Sequence, residues 1–155
     1  MNEGKKFEQD FRNSMPEDVF YYRLRDGTAA WSGGENTRFQ QTNICDCLLF
    51  HGHNLYMLEL KSHKGKSIPF TAFRQNQLEG LVDAENKGVK AGFVINMRNT
   101  EQTFYVPASA LYEVIQTSDR KSIPLEFLTS QCKQIVGEKK RTRWRYDVER
   151  FLVEI

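Results

Sequence analysis

Three charged side chains, Asp46, Glu59 and Lys61, lie in stretches of sequence that otherwise have the composition of buried strands. Glu59 and Lys61 are two residues apart, so on a strand they project from the same face. Burying an ion is costly unless a partner or a metal compensates for it. Two carboxylates on neighbouring strands, with a lysine beside them, can hold a divalent cation next to a positive charge. That arrangement suits phosphodiester hydrolysis, in which the metal activates water and offsets charge on the phosphate.

The alternative is that Glu59 and Lys61 form a solvent-facing pair at a strand end, since such pairs are common on surfaces and contribute little. Asp46 precedes Glu59 by one hairpin, which favours the site over the surface pair. The spacing by itself leaves both interpretations open.

The elements that would position these residues begin with a hairpin, because two apolar runs flank the turn-like segment 51–54. Before it we predict a helix over residues 2–14, anchored by Phe7 and Phe11 one turn apart. A strand over 19–25 follows, and then a long loop over 26–42.

After the hairpin we predict a helix over residues 72–86, on whose apolar face Gln77 is the polar exception. Because buried amides need partners, Gln77 is either a satisfied core group or a site group. The remaining predicted elements are strands over 91–97 and 103–106, helices over 107–115 and 124–136, and a basic C-terminal strand over 139–150.

Length and composition are those of an ordinary globular domain: 155 residues, 39% hydrophobic and 27% charged, which we interpret as a single domain over 1–155. No apolar run is long enough to span a bilayer and the N-terminus carries no apolar signal segment, so we expect a cytoplasmic protein without a membrane partner. The three cysteines, Cys45, Cys47 and Cys132, are an odd number, and we expect all of them to be reduced.

Positive charge is concentrated near the C-terminus, although the net charge is only +2. Such a patch is a possible phosphate-binding footprint, or simply a solvated face. Its members are Lys139, Lys140, Arg141, Arg143 and Arg145.

Several stretches taken together resemble the RecU-type Holliday-junction resolvases and their phage relatives. This family lies within the restriction-endonuclease-like, PD-(D/E)xK nuclease superfamily. The matching stretches are Gly4-Lys5-Lys6-Phe7-Glu8, Asp46, Glu59-Leu60-Lys61, Ser67-Ile68-Pro69 and Phe73-x-x-x-Gln77. The resemblance implies an α/β fold with a restriction-endonuclease-like core, in which helices flank a central mixed β-sheet.

The resemblance also implies a metal-dependent endodeoxyribonuclease. Mg²⁺, with Mn²⁺ able to substitute, would be held by Asp46, Glu59 and Glu8. Lys61 would orient the attacking water and offset charge on the phosphate, and Gln77 would hold the water or the phosphate. Glu8 is thereby a candidate ligand, whereas helix periodicity alone favours a water-facing position for it.

Members of the family act as homodimers that cut DNA four-way junctions in pairs during recombination and repair. The DNA-binding candidates are Arg38, Lys64, Lys66, Lys139, Lys140, Arg141, Arg143 and Arg145. The family's basic projecting stalk corresponds to residues 26–42, where Arg38 is the single positive residue. Junction specificity is therefore less secure than nuclease activity. The alternatives are a nuclease of the same fold acting on flaps, ends or duplex DNA, and a non-catalytic junction-binding accessory protein.

Overall fold

A six-stranded mixed sheet forms the centre of the computed structural model, which describes residues 1–25 and 42–155. The predicted loop, apart from its last residue, and the candidate Arg38 lie outside the described residues. In chain order the elements are α1 (Glu3–Asn13), β1 (Phe20–Arg23), β2 (Cys47–His51), β3 (Asn54–His63), β4 (Ser67–Pro69), α2 (Gln75–Asn86), β5 (Lys90–Met97), β6 (Gln102–Pro107), α3 (Ala108–Thr117), β7 (Ser122–Pro124), α4 (Leu125–Gln131), β8 (Lys133–Ile135), β9 (Gly137–Lys140), β10 (Arg143–Tyr146) and α5 (Val148–Glu154).

The strands of the central sheet are ordered β1-β2-β3-β5-β6-β8. β3 and β5 run parallel, with α2 as the crossover between them, and the other neighbours are antiparallel. The predicted β2–β3 hairpin is confirmed: His51 pairs with Asn54 across a two-residue turn in which Gly52 has a φ of 62°. Glycine suits this turn because it adopts positive φ at little cost.

Helices and a hairpin cover the two faces of the sheet and create two apolar clusters. One face packs against α1, β10 and α5, and buries Phe11, Leu58 and Phe151. The opposite face packs against α2, α3 and α4, and buries residues that include Phe93 and Leu111. Burial of each such side chain contributes about 1.5–3 kcal/mol. The α/β architecture expected from the sequence is confirmed.

Helix α1 forms where the sequence predicts it because its capping and its apolar spacing agree. The Asn2 side chain accepts a hydrogen bond from Lys5 N at 2.8 Å at the first turn. Phe7 and Phe11, one turn apart, are both buried against the sheet. At the other end Ser14 Oγ donates to the carbonyl of Asp10 at 2.7 Å.

The C-terminal region differs from the prediction. The single basic strand over 139–150 is wrong: β9 and β10 form a hairpin, with a tight turn at Arg141-Thr142, and α5 follows. The alternation of basic and apolar residues therefore extends over two strands and the start of a helix. The Asp147 side chain caps that helix by accepting a hydrogen bond from Arg150 N at 3.1 Å. The helix predicted over 124–136 is also too long, because α4 ends at Gln131 and β8 follows.

In the described part of the chain, no helix combines the length and apolar character that a membrane crossing requires.

Candidate active site

Asp46 is fixed at the start of the β2–β3 hairpin by hydrogen bonds to both neighbouring strands. Its backbone N–H donates to the carbonyl of Leu58 at 3.0 Å, and its carbonyl accepts from Leu24 N at 2.8 Å. Its side-chain Oδ2 accepts from Leu60 N at 2.7 Å. The carboxylate is therefore oriented toward β3 by the sheet itself.

Glu59 lies in the middle of β3 on the face that α2 covers, and it is only 5% exposed. Its Oε1 accepts from Lys61 Nζ at 3.0 Å and from Gln77 Nε2 at 2.9 Å. Its Oε2 is buried and has no hydrogen-bond partner among the described residues. A buried carboxylate oxygen without a partner raises the free energy of the folded state, so a hydrogen-bond donor or a cation would bind favourably at Glu59 Oε2.

Lys61 and Gln77 complete the group. The Lys61 side chain is about one-fifth exposed, and Nζ also lies 3.5 Å from Gln77 Oε1. Gln77 is 6% exposed on α2, between the helix and the sheet. The amide thus has a partner at each end, and the partners are site residues. The structure brings together four of the five predicted catalytic residues: Asp46, Glu59, Lys61 and Gln77.

The carboxylates of Asp46 and Glu59 are two like charges that lie close together and largely away from water. Burial raises the pKa of Asp46 to about 7, with further contributions from the charges of Glu59 and Glu8, while the Leu60 N–H acts in the opposite direction. Burial raises the pKa of the neighbouring Cys45 thiol to about 12, and the charges of Glu59 and Asp46 contribute. A cation between the carboxylates would relieve this repulsion.

The fifth predicted catalytic residue, Glu8, lies on helix α1, and its charge contributes to the raised pKa of Asp46. Its Oε2 accepts from Arg23 Nη2 at 2.9 Å, and the pair lies at the outer edge of the site. Within residues 1–25 and 42–155, no three acidic, histidine or cysteine side chains form a cluster that could hold a metal. The role of Glu8 as a third metal ligand stays a prediction, and in this structure Arg23 engages one of its carboxylate oxygens.

The predicted DNA-binding residues fall into two groups. Lys64 and Lys66 are exposed in the turn that follows β3, on either side of Gly65, whose N–H donates to Asn99 Oδ1 at 3.0 Å. They lie close in sequence to Lys61, on the strand end that carries the site.

The hairpin cations mostly contact the protein's own acceptors. Lys139 pairs with Glu101 at 2.5 Å, and Lys140 pairs with Glu138 at 2.7 Å. Arg141 is exposed at the turn, with a φ of 59°. The predicted outward basic face is therefore largely neutralised.

The two remaining hairpin arginines hold α1. Arg143 donates to Asp10 Oδ1 at 2.5 Å and to Gln9 Oε1 at 2.7 Å, and Arg145 donates to the carbonyl of Asn13 at 2.7 Å. These contacts give Arg143 and Arg145 a structural role that the sequence analysis did not foresee.

One buried acid near these sites was missed by the sequence analysis. Asp10 is 4% exposed, and its position three residues after Phe7 was a signal that it lies on the buried side of α1. The ion pair of Arg23 with Glu8 gave no comparable signal, because it depends on how β1 packs beside α1.

The three cysteines are free, as expected. Cys45 and Cys47 are buried, and Cys132 is partly buried.

Comparison with known proteins gives a consistent family assignment. The model of the family RecU, "Recombination protein U", matches residues 29–145. The SPbeta prophage-derived uncharacterized protein YotM of Bacillus subtilis (strain 168) is 31% identical over 108 residues, which are 67% of this chain and 54% of YotM. The chain thus spans about half the length of that curated relative.

Among solved structures, the fold is similar to that of Hjc of Archaeoglobus fulgidus, a Holliday junction resolvase from an archaeal hyperthermophile. The TM-score is 0.52, with 15% sequence identity, over 84% of this chain and 95% of Hjc. This likeness concerns the fold, whereas the family model covers most of the sequence, including Asp46, Glu59, Lys61 and Gln77. The chain belongs to the RecU family.

Proposed function

We propose that this protein is a divalent-metal-dependent DNA endonuclease that resolves four-way junctions. The observation that carries the proposal is the buried Oε2 of Glu59, which has no partner in the described ranges 1–25 and 42–155, with the Lys61 ammonium 3.0 Å from the other Glu59 oxygen. Family membership and the fold shared with Hjc support the choice of DNA junctions as the substrate.

The residues present fit a hard cation. Asp46 and Glu59 offer carboxylate oxygens, and Mg²⁺ is commonly held by one or two carboxylates together with waters and substrate phosphate. Mn²⁺ suits the same ligand types. When bound, the cation would lower the pKa of a water molecule and offset charge on the scissile phosphate.

The chain's own residues would orient the reacting groups. Leu60 N–H holds the Asp46 carboxylate, while Gln77 and Lys61 both hold Glu59 Oε1, so neither acid needs to reorganise. Lys61 is partly exposed and can orient the attacking water and offset the negative charge that develops on the phosphate oxygens. Gln77 acts as a positioning residue, because its amide contacts the two charged side chains and is buried behind them.

Resolution of a junction requires symmetric cuts in two strands, and we propose that two copies of the chain supply one site each. A two-fold symmetric dimer is the most common way to present two identical sites to a symmetric substrate. This homodimer, like the paired cutting, follows from the proposed substrate.

A second candidate is a nuclease of the same fold that cuts flaps, ends or ordinary duplex DNA. The observation that favours it is the composition of residues 26–42, where Arg38 is the single cation. In the family resemblance this segment corresponds to a basic stalk that engages the junction centre.

The test compares a synthetic four-way junction with a linear duplex of matching sequence, in Mg²⁺ and in EDTA, with Glu59→Gln in parallel. We expect paired nicks in the junction, and we expect them to disappear in EDTA and in the variant, whose amide keeps the side-chain shape but loses the charge. Equal cutting of both substrates would support the second candidate. Tight binding without any cut in Mg²⁺ or Mn²⁺ would contradict catalysis and leave a DNA-binding protein.

A further inference from the structure

A groove of about 400 Å³ lies between helix α1 and the edge strand β1, and two of its lining residues, Glu8 and Arg23, interact electrostatically with Asp46. Its polar lining contains three cations and one acid. The residues are Lys5, Glu8, Gln9 and Arg12 from α1, with Tyr21 and Arg23 from β1.

Lys5 and Arg12 supply cations that the fold does not use. Both are exposed, and neither forms an ion pair or a side-chain hydrogen bond within the described part of the chain. The β9–β10 hairpin is the opposite case, since Lys139 and Arg143 are bound to Glu101 and Asp10. The groove therefore offers positive charge to a ligand where most of the hairpin does not.

Arg23 and Glu8 connect the groove to the acidic site. Arg23 lies opposite Cys47 in the β1–β2 ladder, one position from Asp46. The pKa of Arg23 is raised chiefly by its hydrogen bond to Glu8 and also by the charge of Asp46, so both acids act on this guanidinium. One Nη2 contact to Glu8 leaves other donors of the guanidinium available to a phosphate.

The dimensions of the groove suit a nucleic-acid strand. Lys5 and Arg12 are seven residues apart, which is about 10 Å along an α-helix. With a rise of about 3.4 Å per nucleotide in one strand of B-DNA, this corresponds to roughly three nucleotide steps. The two side chains can therefore contact different phosphates of the same strand.

We propose that this groove binds the phosphodiester backbone of the DNA strand that enters the acidic site, through Lys5, Arg12 and Arg23. The inference rests on the proposed function and deepens it, because it names the path of the strand. Such contacts fix the position and orientation of DNA and do not read its sequence. Glu8 lies between the groove and Asp46, and Arg23 balances the negative charge of Glu8 where a phosphate would pass.

The test uses the double variant Lys5→Gln/Arg12→Gln. Glutamine is a good helix former, and neither side chain holds part of the described fold, so the variant should fold normally. The matched control is Lys87→Gln/Arg150→Gln, which also removes one lysine and one arginine. Lys87 and Arg150 are exposed and pair with acids on their own helices, outside the groove.

Binding of a fluorescent four-way junction is measured by anisotropy over a series of salt concentrations in EDTA, so that cleavage plays no part. We expect the slope of log K against log salt to fall in magnitude by about two for the groove variant, since each phosphate contact contributes about 0.9. If the groove variant and the wild type bind equally well at about 1 M salt, the same relation predicts that the variant binds roughly 60-fold more weakly than the wild type at about 0.1 M salt. The control variant should have the slope of the wild type.

An unchanged slope and affinity in the groove variant would overturn the proposal. If wild type and Glu59→Gln still bind the junction and only wild type cuts it, the proposed function survives that result. A wild-type protein that binds no DNA at any salt concentration would overturn both. Displacement of the junction by poly-glutamate as effectively as by unlabelled DNA would also contradict the groove as a nucleic-acid site.

Discussion

Among the described residues carboxylates are buried in two places, and the protein's own groups balance the charge more fully at Asp10 than at Glu59. Asp10 receives a hydrogen bond on each oxygen, from Arg143 Nε at 2.5 Å and from Trp144 N at 3.2 Å. Glu59 has two partners on Oε1 and none among the described residues on Oε2, and the acid beside it is Asp46.

Asp10 belongs to a structural ion pair, whereas Glu59 belongs to a site whose negative charge the protein does not fully balance. Asp10 ties α1 to the β9–β10 hairpin, so its arginine serves the fold. At the β2–β3 hairpin Lys61 pairs with Glu59, whose charge raises the pKa of Asp46, because like charges in a poorly solvated place destabilise each other. A bound divalent cation would supply the balance that the chain itself supplies at Asp10.

The largest effect we expect is on catalysis, from Lys61→Met. This change removes the ammonium that contacts Glu59, and loss of such a charge-stabilising donor typically lowers a rate by about 10²–10³. Single-turnover cleavage of the junction measures it, with the exposed Lys87→Met as the control. A rate within threefold of wild type, with normal folding, would mean that Lys61 is not part of the machinery.

A smaller effect, on the free energy of unfolding, distinguishes Asp10 from Asp46. Asp10→Ala removes the partner of Arg143, and breaking a buried ion pair costs about 3–5 kcal/mol. Because the Arg143 side chain is 38% exposed, we expect a cost just below this range, about 2–3 kcal/mol.

The companion change, Asp46→Asn, keeps a side-chain acceptor for Leu60 N and removes repulsion. Urea unfolding without metal should therefore show that Asp46→Asn destabilises the protein by no more than about 1 kcal/mol, and any larger change should be stabilising. If Asp46→Asn were the more destabilising of the two, the distinction between the sites would be wrong.

The smallest effect concerns pH. In the metal-free protein the pKa of Asp46 is raised from 3.8 to about 7, so between these values the folded state binds more protons than the unfolded state. Stability from this group is present at low pH and is lost as pH rises toward 7. The difference in melting temperature between Asp46→Asn and wild type, measured in EDTA, should grow from pH 4 to pH 7. A constant difference would exclude the raised pKa.

The parts of the site that depend on local spacing could be predicted from sequence. Glu59 and Lys61 share a face because they are two apart on a strand, and Asp46 meets them because one short hairpin joins the segments. Gln77 was identifiable as the polar residue on an apolar helix face. In each case a single element or a single turn determines the geometry.

The parts that depend on distant packing could not be predicted. Asp10 and Arg143 are 133 positions apart, and no local pattern identifies them as partners. The hairpin was missed because its turn contains Arg141 at positive φ, where glycine or asparagine is the usual signal. An uninterrupted alternation of basic and apolar residues therefore indicated one strand where there are two.

The most direct test of the central claim is isothermal titration calorimetry of the DNA-free protein with Mn²⁺. We expect wild type to bind the ion, Asp46→Asn and Glu59→Gln to bind it at least tenfold more weakly, and the exposed Asp83→Asn to match wild type. Equal binding by wild type and Glu59→Gln would contradict the assignment of the unbalanced acidic pair as the metal site.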